Sequence, residues 1–207
     1  MIIAPFIYGA FIFPQLPSRI PTHFNIEGKA DAWGGPSSIF IGPGIMGAVS
    51  IFVYVLMSNL KSFDPKKYDE ANDALYSNFA VLTVAFLSAL STIIIYSSTH
   101  ADEINVSKLI LSLVGLSFAA LGWYMPKFKQ NYFVGFRLPW TLENVDNWNE
   151  THKVAGTVWM FGGWFQVIAT ISLSMKFGFI CFMIATAIMV IIPSVFSYRL
   201  FKKGNTI

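Results

Sequence analysis

Five stretches of the chain run without an Asp, Glu, Lys or Arg: Ser37–Leu60, Asn78–Thr99, Leu109–Pro126, Val154–Met175 and Phe177–Tyr198. Apolar runs of about 18 residues or more have the length of a membrane-crossing helix, since about 20 residues at 1.5 Å each match a hydrocarbon core of about 30 Å. The pattern therefore predicts five transmembrane helices. A sixth apolar segment, Met1–Phe13, reaches only about 20 Å as a helix, and Pro5 and Pro14 interrupt or end it. It reads as a short tilted span, an interfacial segment, or a span whose natural start lies upstream. It lacks the basic flank and small-residue cleavage site of a signal peptide. The expected fold is an all-α integral membrane protein, a six-helix bundle with a short first span.

Composition supports lipid as the solvent. Charged residues make up 12% and hydrophobic residues 55% of the 207 positions, against roughly 25% charged in ordinary soluble domains. Mean hydropathy is +0.57. The cations also orient the bundle. Lys61, Lys66, Lys67, Lys127, Lys129, Arg137, Lys153, Arg199, Lys202 and Lys203 fall in one set of loops, and only Arg19, Lys29, Lys108 and Lys176 in the other. The first set is expected in the cytoplasm, with both termini, and Pro14–Pro36 outside. Nothing resembles a basic stripe or nucleic-acid motif, so direct nucleic-acid binding is not expected.

The outer loop, PQLPSRIPTHFNIEGKADAWGG, carries Pro14, Pro17 and Pro21, which forbid a helix through its first half, and Gly28, Gly34 and Gly35, which permit turns. An extended cap is expected, with Phe24 and Trp33 at headgroup level. In the first cytoplasmic loop, Asp64 followed by Pro65 predicts a helix start, with Asp69, Asp73 and Tyr76 along one side. Gly42, Gly44 and Gly47, and Gly162 and Gly163, read as close helix–helix contacts. Cys181 is alone and reads as a small apolar filler.

One polar loop stands out, GFRLPWTLENVDNWNETHK at Gly135–Lys153. Pro139 breaks it and Thr141 suits a helix N-cap. Leu142, Val145 and Trp148 recur at a spacing of three, which predicts an amphipathic segment lying on the membrane surface with Trp140 and Trp148 at the interface. Glu143, Asn144, Asp146 and Asn147 would face away. Asn147 with Glu150 resembles a capping box for the next span, and Arg137 offers a planar fork of donors. The residues support either an interfacial anchor or a recognition surface.

Other chemistry has thin support. His23, Glu27 and Asp31, with His100, Asp102 and Glu103 on the same side, could supply an outer metal site for a membrane enzyme. His152 has no paired nucleophile, and no charge lies deep in the later spans, which disfavours coupled transport of a small solute. No cofactor, metal or catalytic residue is expected.

The stretch GFRLPWTLENVDNWNETHKVAG resembles the signature of the SdpI family of bacterial multi-span proteins, through Gly135, Arg137, Pro139, Trp140, Thr141, Trp148, Asn149, Thr151 and His152. The stretch LPSRIPTHFNIEGKADAWGG resembles the short domain of unknown function that commonly precedes it, through Leu16, Pro17, Ile20, Pro21, His23, Phe24, Asn25, Gly28 and Asp31. The resemblance implies a non-enzymatic membrane protein giving resistance to a secreted peptide toxin. The outer motif (Leu16, Pro17, Pro21, His23, Asn25, Gly28 and Asp31) would meet the peptide. The inner signature would dock a small cytoplasmic transcriptional repressor. The chain divides for this purpose into a first span and cap (1–36), spans two to four (37–126), and the signature loop with the last two spans (127–207), all in one membrane domain of a bacterial cell.

Overall fold

The computed structural model describes residues 1–63, 70–100 and 103–204. Its five long helices overlap the five apolar runs, although the one over Val154–Met175 begins at Val145, inside the polar loop. They are α2 (Ile41–Ser58), α4 (Asp73–Ser97), α5 (Val106–Tyr124), α7 (Val145–Ser172) and α8 (Met175–Gly204). All five are long and apolar enough to cross a membrane. The chain is a multi-pass membrane protein built as an all-α bundle. Short helices fill in between, α1 (Ala4–Ile12), α3 (Leu60–Phe63) and α6 (Pro139–Glu143). Helix α1 has nine residues, about 14 Å, so it covers half of the hydrocarbon depth. Pro5 opens it in the first turn, where a missing N–H costs nothing, and Pro14 sits in the 3₁₀ turn that closes it. Asp64, Pro65 and Asp69 lie outside the described residues; Asp73 opens α4.

The Pro14–Pro36 segment, expected as an extended cap, is a β-hairpin. Strand β1 (Ile20–Phe24) pairs antiparallel with β2 (Ala30–Gly34), with Ile20 opposite Gly34 and Phe24 opposite Ala30. The prolines exclude helix, and Gly28, at φ +81°, permits the tight return. Ile20 plugs the hairpin into a buried cluster with Ile12, Ile39 and Ile95.

The helices form two groups. In one, α1 and α2 pack on α4; in the other, α5 and α8 pack on α7, and a narrower contact between α4 and α5 joins them. The α5–α7 seam is built on glycine. A Cβ on Gly122 would collide with the backbone of Met160, one on Gly156 with Pro126, and one on Gly163 with the backbone of Ala119. In lipid, where burial of apolar area gives helices no drive to associate, such close approach supplies the packing. Gly163 was legible as a close contact. The α2 glycines do not play that part. A Cβ on Gly44 would meet nothing within 4 Å, one on Gly42 would make ordinary contact with Ile94 at 3.9 Å, and one on Gly47 ordinary contact with Ile2 and Phe6 at 3.5 Å. The α7–α8 seam adds Gly162 against Met189, and polar links from Trp159 Nε1 to the Met189 carbonyl (2.9 Å) and from Gln166 Nε2 to Thr186 Oγ1 (2.8 Å).

Candidate functional site

The two motifs occupy opposite ends of α5, and each reaches across to the other helix group. At the hairpin end, Asn25 organises the turn. Its Oδ1 accepts from the backbone N–H groups of Glu27 (3.0 Å) and Lys29 (3.1 Å). Its carbonyl accepts from Ser107 Oγ (3.0 Å), and Asn105 Nδ2 donates to the Glu27 carbonyl (2.9 Å). Asn105 is also the N-cap of α5, accepting from the Lys108 N–H at 3.0 Å. One side chain thus starts a helix and holds the hairpin tip on it. A Cβ on Gly28 would fall 2.6 Å from Asn105 Oδ1, which explains glycine there beyond its φ. Lys108 Nζ donates in turn to the carbonyls of Ile171 (3.1 Å) and Leu173 (2.7 Å), capping the far end of α7.

Of the outer-motif residues, Leu16 packs against the Ile12–Ile20 cluster and Pro21 and Gly28 are buried. These are framework. Pro17, His23 and Asp31 are exposed, with His23 Nδ1 2.5 Å from Asp31 Oδ1 across the strands. Glu27 pairs with Lys29 at 3.4 Å, and His100 stacks on Tyr96 at 4.1 Å between ring centroids. Among the described residues, no three His, Cys, Asp or Glu side chains gather as a metal site, and Asp102 lies outside them.

At the other end, the signature folds into a locked corner rather than a surface platform. Trp148 is fully buried, stacks on His152 at 3.9 Å and donates from Nε1 to the Phe128 carbonyl (2.9 Å). His152 is buried as well. Its Nδ1 lies 2.7 Å from the Trp148 carbonyl and its Nε2 accepts from the Phe136 N–H at 3.0 Å. A carbonyl needs a donor and an N–H needs a lone pair, so the ring carries its proton on Nδ1 and has no free nitrogen for acid–base work. Gly135, at φ +118°, passes so close that a Cβ would overlap His152 Nε2.

The expected surface stripe is therefore corrected. Trp148 points inward, Val145 is exposed at 56% and Asn147 is buried at 3%. The reason is that α7 begins at Val145, capped by Asn144 through the Asn147 N–H (2.8 Å). That turns Asn147, which does not cap, toward α8. There its Nδ2 donates to the Ser197 carbonyl (3.0 Å), and its Oδ1 accepts from Thr151 (3.0 Å) and Ser197 (2.6 Å). Glu150 instead pairs with Lys153 at 2.6 Å. Pro139 opens α6 in its first turn, and Thr141 is not its N-cap. It lies three residues into the turn, buried, accepting from the Leu138 N–H at 2.9 Å and donating to the Phe136 carbonyl at 2.6 Å. Trp140 binds Ser197 Oγ (2.7 Å) and stacks on Phe201. Arg137 donates to the Tyr132 carbonyl (2.6 Å) and is exposed, as is Asn149.

Two further residues complete the corner. Asn72, fully buried ahead of α4, accepts from the Lys129 N–H at 2.9 Å and donates toward the Lys129 carbonyl at 3.4 Å. Asn131 Oδ1 accepts from the N–H groups of Phe133 and Val134, both at 2.8 Å. The only sequence signal for either was an amide in a mixed, mostly polar stretch, which a solvated connector shares. So Lys129–Leu138 is held by α4 on one side and by α7 on the other.

The comparisons with known proteins follow the same division. Residues 127–197 match the family described as the SdpI/YfhL protein family, and residues 1–47 match a domain of unknown function, DUF1648. The chain is 27% identical over 201 residues to the immunity protein SdpI of Bacillus subtilis (strain 168), covering 97% of this chain and 92% of that one. No solved structure matches it.

Proposed function

We propose that this chain, a member of the SdpI/YfhL family, is a membrane immunity protein that protects its bacterial host from a secreted antimicrobial peptide. The observation that carries the reading is similarity along nearly the whole chain, both motifs included, to a protein named for immunity. In this reading the β-hairpin faces outward and meets the peptide, through the exposed His23, Asp31 and Pro17. The opposite end faces the cytoplasm, where cations are in excess, and recruits a small repressor. Neither step requires chemistry from the protein.

Protection is tested in a peptide-sensitive bacterium expressing the chain, exposed to the candidate peptide beside an empty-vector strain. The expected outcome is survival with wild type and reduced survival with His23→Ala/Asp31→Ala at equal membrane abundance. Equal killing with and without the chain would overturn the reading. Repressor recruitment is read separately, from movement of the tagged repressor into the membrane fraction when peptide is added.

A further inference from the structure

At the signature end, a groove of about 540 Å³ runs between α6, the first two turns of α7 and the last turns of α8. Trp140, Leu200 and Phe201 form its apolar wall, and Glu143, Asp146 and Glu150 line its rim. We infer that this groove docks a cationic amphipathic segment of a cytoplasmic protein, with an apolar side chain on the Trp140–Phe201 face and Lys or Arg groups at the carboxylates. The inference rests on the reading that this end faces the cytoplasm and recruits a partner.

The argument is one of charge and shape. Glu143 and Asp146 are exposed, and no ion-pair partner is found for either among the described residues. Glu150 is shared with Lys153, and among the described residues Lys203 is the one cation lining the groove. Acidic rims are out of place on the end of the molecule that collects most of its cations. An anionic lipid surface would repel such a rim, so lipid headgroups do not account for the groove. The helix dipole favours Asp146 in the first turn of α7, but it does not explain an aromatic wall beside it. Apolar wall plus charged rim is the anatomy of a protein-binding groove, in which buried anchors hold and rim charges steer. The wall is also preformed. Trp140 is pinned to Ser197, and Ser197 to Asn147, by bonds of 2.7 and 2.6 Å. Docking there need order only the partner.

The test uses the full chain in nanodiscs of zwitterionic phosphatidylcholine, titrated with a fluorescent helical peptide that has one Lys/Arg face and one Leu/Phe face, against empty discs. Saturable binding is expected, falling about tenfold or more in Glu143→Gln/Asp146→Asn and rising in Lys203→Glu. All three substitutions are at exposed positions and leave the fold intact. Equal binding to the double variant, or to empty discs, overturns the inference. Particles holding two wild-type chains but one double-variant chain would assign the groove to a second copy and also overturn it. A cysteine at position 143 in a Cys181→Ser background separates the premise. Labelling only after the membrane is opened keeps the cytoplasmic reading, so that a failed titration then counts against the groove alone. Labelling from outside removes the partner reading itself.

Discussion

Trp148 and His152 lie face to face inside the signature corner, and each also holds backbone of the loop above it. Trp148→Ala should therefore act on stability, removing a fully buried ring and one hydrogen bond at a cost of about 3–5 kcal/mol. Thermal unfolding in detergent should show a clear drop, with Trp148→Phe falling between the two because it keeps the stack and loses only the bond to Phe128. An unchanged midpoint in Trp148→Ala would mean the ring is not packed as described. Gly135→Ala should cost at least about 1 kcal/mol from its positive φ alone, and more because its Cβ would displace His152 from the Phe136 N–H. The same unfolding measurement, with loop proteolysis as a second readout, checks it. Several signature residues meet in this corner, but sequence assigned Trp148, Asn147 and Thr141 a different direction or role and missed Asn72 and Asn131. A spacing of three from Leu142 to Trp148 assumes one continuous helix. The chain instead breaks at Asn144 between α6 and α7, so the phase restarts and the stripe dissolves.

Between elements, small residues set the geometry. Gly163→Val would drive a side chain into the backbone of Ala119 and should destabilise by about 1–3 kcal/mol or more. Gly44→Ala, facing open space in α2, should be neutral or stabilising by up to about 1 kcal/mol. A pair of detergent melts decides between them, and similar losses in both would contradict the assigned seam. At the other junction, Asn105→Ala removes an N-cap, worth about 1 kcal/mol, and frees the hairpin tip. Hydrogen-exchange mass spectrometry should show faster exchange across Asn25–Lys29, with the α5–α7 core unaffected. Apolar runs announced these helices because lipid asks only for length and hydrophobicity. They could not say which glycines face a neighbour, since a glycine on the lipid side and one at a seam look alike until the helices are placed.

At the level of the whole molecule, orientation is the property on which the functional reading depends. Cysteines introduced singly at Trp33 and Asn149, both exposed, in the Cys181→Ser background should react with an impermeant reagent from outside at the first position only. The reverse pattern would invert the molecule and detach the motifs from their proposed tasks. Five spans, the short first segment and the extended cap were readable from hydropathy and proline placement. The docking of the hairpin was not, because its tip is held by Asn105 and Ser107, far along the chain. Nor was the hold of Asn72 on Lys129, since the two are 57 residues apart. Those two asparagines have a bearing on ancestry. Each motif is fastened by an amide lying in the other helix group, so neither is a cassette that recombination can exchange alone. A hybrid gene that joins the front of one relative to the rear of another between positions 72 and 105 should fold only where the residues at both positions still meet their bonds across the junction.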